Sequence, residues 1–144
     1  MREIEMTKTT PKPKQDEYSQ EIHERLHEYE SNSKLVNIKH KLLEQMNASK
    51  YAYNFTWFGR PVIQIPQDTM TFQELIWSVK PDLIIETGIA HGGSFVFSAS
   101  MLALLELFGL IDHPMVVGVD IDIRQHNRAA IVQHPASKWI QMIE

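Results

Sequence analysis

Twenty residues, Pro81 to Ser100, constrain this chain most: "PDLIIETGIAHGGSFVFSAS". A short apolar run is followed by one carboxylate, Glu86, and then by Gly88, Gly92 and Gly93 within six positions. A second apolar segment, rich in small residues, comes next. The pattern reads as a buried strand, a tight turn and a buried helix. It then repeats. "MVVGVDI" reads as a second strand, "RQHNRAAIVQH" as a second helix stopped by Pro135, and "KWIQMIE" as a third strand. The runs "LII" and "VVGV" are nearly continuous in apolar character, as in parallel strands covered on both faces. The fold class is therefore α/β, a Rossmann-like open parallel sheet.

Upstream the chain changes character. Residues 1–15 are polar, carry Pro11 and Pro13, and are expected to be a disordered tail. Residues 16–50 form an N-terminal helical segment, since Ile22, Leu26 and Tyr29, then Leu35, Ile38, Leu42 and Met46, recur at helical spacing. "SNS" at 31–33 divides it into two helices, with Asn32 or Ser33 capping the second. Residues 51–144 then make the sheet domain. It opens with an extended segment or short hairpin in "YAYNFTWFGRPVIQIPQD" and a helix capped by Asp68 or Thr69.

Composition narrows the function classes. The net charge of −4 gives no basic field for nucleic acid. The absence of Cys removes disulfides and thiolate zinc sites. The N-terminus has no apolar core of a signal peptide. The segment from Phe95 to Ile111 is too short and too interrupted to span a bilayer. A cytoplasmic protein is expected.

In open parallel sheets, ligands bind outside the carboxyl ends of the strands. Glu86 ends the first strand there. Gly88 permits a sharp turn, and Gly92 and Gly93, lacking a Cβ, would let a ligand approach the backbone. The first helical turn offers N–H groups to an anion, and Ser94 adds a hydroxyl. The second strand ends in "GVDID", where Asp120 can accept from both hydroxyls of a ribose and Asp122 can cap the next helix. Together these describe a site for a nucleoside-containing cofactor. The bland alternative is a tight strand–helix connection without ligand. The dinucleotide fingerprint is G-x-G-x-x-G with an acid about twenty residues on. Here the glycines read G-x-x-x-G-G, and Asp120 lies 32 positions beyond Gly88 (120 − 88). An acid two places before the first glycine suits S-adenosylmethionine, whose amino and carboxylate ends would meet Glu86 and the Gly88–Ser94 turn.

Other residues invite weaker readings. Asp122 and His126 stand at helical spacing, but solvent-facing His at a helix start is the commoner case. The ring of His91 is expected to be structural. Trp57, Phe58 and Tyr53 suit a lid or, more ordinarily, core packing. Arg124 and Arg128 suit anion binding or a plain helix surface.

"KPDLIIETGIAHGGS", "VVGVDIDIRQHNR" and "IQMIE", with the preceding "WFGRPVIQIPQD", resemble the cephalosporin hydroxylase family, also described as the rhamnosyl O-methyltransferase family. The resemblance covers about residues 50–144. It implies a class I S-adenosylmethionine-dependent methyltransferase acting on a hydroxyl of a small molecule or glycolipid sugar. It implies that Glu86, Gly88, Gly92, Ser94 and Asp120 line the donor site. Mg²⁺ in such enzymes is held at the ends of the fourth and fifth strands. This sequence ends with the third, so no catalytic or metal residue is carried over. The expectation is thus a partial domain, strands one to three of a longer protein, with an apolar edge that leaves room for a homo-oligomer. A non-catalytic remnant that keeps the donor turn, and an NAD-dependent oxidoreductase, stand as alternatives.

Overall fold

The protein is described here by a computed structural model covering residues 15–144. The expected tail over residues 1–15 lies outside the described residues except at Gln15. The chain divides into two compact units, one ending at Gln45 and the other comprising Met46–Glu144.

The first unit is helical. α1 spans Gln15–Ser31 and α2 spans Ser33–Ala48, running past the unit boundary. Of the two capping candidates, Asn32 takes the role: its Oδ1 accepts from the Leu35 N–H at 3.1 Å. On α1 the pairs Gln20–Glu24 and Glu21–Arg25 stand four residues apart and bond along the surface. Such exposed pairs contribute only tenths of a kcal/mol each.

The second unit opens with a hairpin. β1, Phe55–Trp57, pairs antiparallel with β2, Arg60–Val62. Phe58 and Gly59 both take positive φ, 43° and 81°, the geometry a two-residue hairpin turn requires. α3 spans Pro66–Val79, so neither Asp68 nor Thr69 caps it. Pro66 explains the earlier start, since its fixed φ and missing N–H cost nothing at the first helical position. Asp68 instead sits in the first turn, where the helix dipole favours a negative charge.

Three parallel strands follow in the order β3-β4-β5: Leu83–Thr87, Met115–Val119 and Ile140–Ile143. α4, Gly93–Leu107, connects the first two, and α5, Gln125–Val132, precedes the third. Ile84 pairs with Val116 and Glu86 with Gly118, so these share the face that α4 covers. Gly118 makes room for α4: a Cβ there would lie 2.0 Å from Cζ of Phe95. Phe95, Phe97 and Leu102 are fully buried, each contributing about 2–3 kcal/mol of apolar burial. The hairpin packs on the same helix. The Trp57 ring meets Phe97 edge-on at 4.8 Å and its Nε1 donates to Ser100 at 3.0 Å. Trp57 is therefore a core residue, whereas Phe58 and Tyr53 are exposed.

The other face differs from expectation. Leu83 is 49% exposed and Ile85 65%. Within the second unit the sheet is covered on one face only. An apolar run identifies a strand but does not identify the layer lying against each side of it.

Candidate functional site

The chemistry gathers where β3 and β4 end. The ladder runs one step beyond the strands, with Gly88 N–H donating to Val119 O at 2.9 Å and Asp120 N–H to Ile143 O at 3.1 Å. This fixes the start of the glycine loop beside the tip of β4. The loop then turns through three left-handed residues, Gly88 (φ 81°), Ala90 (φ 44°) and Gly92 (φ 79°).

Asp120 latches this loop. One carboxylate oxygen accepts from the Ile89 N–H at 2.7 Å and the other from the Asp122 N–H at 3.2 Å. These bonds, the one from Ile89 foremost, hold its pKa below the ordinary value of 3.8. A carboxylate offers about four lone-pair sites, so each oxygen can accept one more donor. Asp122 caps nothing. α5 begins under Arg124, which makes no side-chain cap, and Asp122 uses its backbone N–H on Asp120.

Asp120 lines a polar cavity of about 310 Å³ with Asp122, Arg124, Asn127, Ala90 and His91. Larger apolar hollows lie along α4, one of about 1330 Å³. Their charged neighbours are already engaged: Glu106 accepts from Trp139 Nε1 at 2.8 Å, and Lys138 sits 3.8 Å over the Trp139 ring. The polar cavity is at the strand ends, and there the convergent polar groups make it the candidate site.

Glu86 and Ser94 form a second cluster at the start of α4, where the Ser94 hydroxyl donates to the Glu86 carboxylate. Burial pushes the Glu86 pKa above its ordinary 4.5, partly opposed by the Ser94 bond. The 310 Å³ cavity is not lined by Glu86, Gly88, Gly92, Gly93 or Ser94. Of the six sequence candidates, Asp120 lines it directly. Glu86 lies on β3, Gly88 and Gly92 in the loop after it, and Gly93 and Ser94 in the first turn of α4.

The two later glycines have a reason other than ligand approach. A Cβ on Gly92 would lie 2.5 Å from Cδ1 of Ile131, and one on Gly93 would lie 2.0 Å from Pro61 O. Both make room for protein. Gly88 alone of the three faces open space, with nothing within 4 Å of a Cβ built there.

Two residues escaped the sequence reading. Asn127, 4% exposed, donates to Ala90 O at 2.8 Å. Arg60, on the hairpin, donates through Nε to His91 O at 2.9 Å and through a terminal nitrogen to Asn127 Oδ1 at 3.1 Å. The only local signal was a polar Asn inside an amphipathic helix. Arg128 pairs with Glu144, whose other oxygen accepts from Ile123 N–H. Among the described residues no three His, Cys, Asp or Glu side chains converge as a metal site, and no helix is long and apolar enough to cross a membrane.

The sequence profile of the family described as rhamnosyl O-methyltransferase/CmcI matches residues 49–144. No curated protein matches the chain. Among solved structures, a CmcI described with Mg-SAM is 22% identical, with a TM-score of 0.50 over 64% of this chain and 36% of its own. A CmcI described with SAH is 23% identical, with a TM-score of 0.48 over 62% of this chain and 42% of its own. The chain spans less than half the length of these solved proteins. The match at 0.50 establishes a shared fold.

Proposed function

Since the chain belongs to the rhamnosyl O-methyltransferase/CmcI family, we propose that its second unit binds S-adenosylmethionine for methyl transfer to a hydroxyl. The acceptor class is a small molecule or a glycolipid sugar. One observation carries the reading. The Asp120 carboxylate is anchored by two backbone N–H groups at the mouth of a polar cavity, with lone pairs left for a vicinal diol.

The residues present fit such a donor. Asp120 would accept from the ribose hydroxyls. Glu86, a half-buried carboxylate that accepts from the Ser94 hydroxyl, would take the ammonium of the amino-acid end. The N–H groups at the start of α4 would face its carboxylate. When bound, S-adenosylmethionine supplies an electrophilic methyl on a sulfonium. The protein's share of the work is then to align donor and acceptor and to keep water from the reacting atoms. The described residues offer Mg²⁺ no ligand cluster, so no residue of this chain is assigned to it.

Calorimetric titration with S-adenosylhomocysteine and with NAD tests the proposal. Binding of S-adenosylhomocysteine without NAD is the expected result. Binding of NAD alone would overturn it.

Glu86 supplies a second test. Its raised pKa means that the folded state holds the proton more tightly than the unfolded chain does. Its contribution to stability is therefore fully present below about pH 4.5 and is lost as pH rises through the folded value. At pH 7 the partly desolvated charge costs stability, so Glu86→Gln is expected to raise the unfolding midpoint, by about 4–8 °C per kcal/mol recovered. The same variant is expected to bind S-adenosylhomocysteine about tenfold or more weakly, having lost the partner of the ammonium. A lower midpoint together with unchanged affinity would remove Glu86 from the site.

A further inference from the structure

The loop between β3 and α4 adopts a conformation that its own residues do not favour. Ala90 has φ 44°, in the left-handed region that a side chain with a Cβ occupies only at a steric cost. It lies between two glycines that are also left-handed, Gly88 and Gly92. A segment of this kind stays ordered only when its surroundings over-determine it.

Three consecutive residues of the loop are held by side chains from three different elements. Ile89 N–H is bound by Asp120, which follows β4. Ala90 O is bound by Asn127 Nδ2, from α5. His91 O is bound by Arg60, from β2, through Nε and through a terminal nitrogen. Arg60 and Asn127 are themselves joined, since Arg60 also donates to Asn127 Oδ1 at 3.1 Å. Asn127 is thereby satisfied on both sides of its amide while buried. Its amide is also oriented: with the guanidinium on Oδ1, only Nδ2 can face Ala90. The bonds from Arg60 carry its full charge and are charge-assisted, stronger than the neutral amide bond beside them.

These contacts give the hairpin a task besides packing. Ala90, His91 and Asn127 form part of the wall of the polar cavity that holds Asp120. Arg60 does not line that cavity, yet it bonds to two residues that do, His91 and Asn127, and through Asn127 reaches the third, Ala90. We propose that Arg60 is a positioning residue for the donor site. It acts through His91 O and Asn127 to hold the glycine loop in its binding-competent turn before a ligand arrives. Affinity then includes no cost for ordering the loop. Without Arg60 the strain at Ala90 is opposed by one fewer fixed contact, and the loop samples other turns. The inference rests on the donor-site reading given above, but the clamp itself can be measured without any ligand.

The test uses the full chain with Arg60→Ala and Arg60→Lys, the second serving if the first fails to fold. Amide hydrogen exchange is followed at Ile89 and Gly92 in the loop and at Val116 in the core. The Gly92 N–H bonds to Ile89 O across the turn at 2.8 Å, so its exchange reports loop opening. S-adenosylhomocysteine affinity is titrated on the same samples at a temperature where near-ultraviolet dichroism shows the fold intact. With Arg60→Ala, exchange at Ile89 and Gly92 is expected to rise about tenfold or more while Val116 is unchanged, and affinity is expected to fall about tenfold. Arg60→Lys, which can reach His91 O but cannot fork to Asn127 as well, is expected to lie between. If the wild type binds no S-adenosylhomocysteine but the loop amides still respond selectively, the clamp stands and the donor assignment falls. Equal acceleration at Val116, or loop exchange that does not change, would overturn the proposal. So would wild-type affinity in a variant whose loop has loosened.

Discussion

Gly93→Ala is expected to cost the second unit about 3–5 kcal/mol, at the upper end of what one added methyl can do. At an exposed helical position the same change stabilises by about 1 kcal/mol, because Ala loses less backbone entropy than Gly. Here the sign reverses. A Cβ on Gly93 would lie 2.0 Å from Pro61 O, 2.4 Å from Pro61 C and 2.7 Å from Val62 N. All three atoms are backbone, so no rotamer change relieves the clash. Either β2 moves off the start of α4 or the helix unwinds its first turn. If β2 moves, Arg60 moves with it, and Trp57 is drawn away from Phe97 and Ser100. Urea denaturation checks this: the midpoint is expected to drop with the slope unchanged. Gly109→Ala is the control. Unlike Gly93 it has a positive φ, 69°, and no atom lies within 4 Å of the added carbon, so only the conformational cost of about 1 kcal/mol applies. Should Gly93→Ala prove as stable as the parent, the hairpin cannot sit where the structure puts it.

What could be read from the sequence was what neighbouring residues decide among themselves. "LIIETGIAHGG" specifies a strand, a turn and a helix start through apolar runs and glycine placement, and the structure builds those elements at Leu83–Thr87 and Gly93–Leu107. The same stretch does not record what each glycine faces. In the sequence Gly92 and Gly93 look like openings towards a ligand, yet they accommodate Ile131 and Pro61. These neighbours come from distant parts of the chain, and local spacing contains no trace of them. The Arg60 clamp was hidden for the same reason, since its bonds span 31 residues to His91 and 67 to Asn127. Polar residues at 68 and 69 suggest a later start for α3, but Pro66 already sets the helical geometry two residues earlier. The apolar run of β3 does not foretell its exposed face, because burial belongs to the assembly of layers and not to the run of residues.

Asp120→Ala is expected to weaken S-adenosylhomocysteine binding by about 10- to 100-fold, the range for losing hydrogen bonds to a charged acceptor. Two losses combine. The ribose hydroxyls lose their acceptor, and the Ile89 N–H loses the bond that ties the loop to β4. Asp120→Asn helps to separate them. An amide keeps the shape but has one oxygen, so it can accept from Ile89 or from Asp122 and not from both through separate atoms. It also presents donors where the diol presents its own. Most of the loss is therefore expected in the Asn variant as well, with loop exchange at Gly92 less affected than in the Ala variant. Acidity gives a further separation between the two carboxylates. The backbone bonds to Asp120 depress its pKa below 3.8, so its contribution is present above that value and lost as pH falls through the folded one. Above pH 5 Asp120 stays ionised and imposes no pH dependence on binding. Glu86, with its pKa raised above 4.5, ionises later, so affinity is expected to climb with pH as Glu86 becomes able to pair with the ammonium. That climb should survive Asp120→Ala and vanish in Glu86→Gln. If instead Asp120→Ala binds as tightly as the parent, the sugar is held elsewhere, and the cavity beside Asn127 is not the nucleoside site.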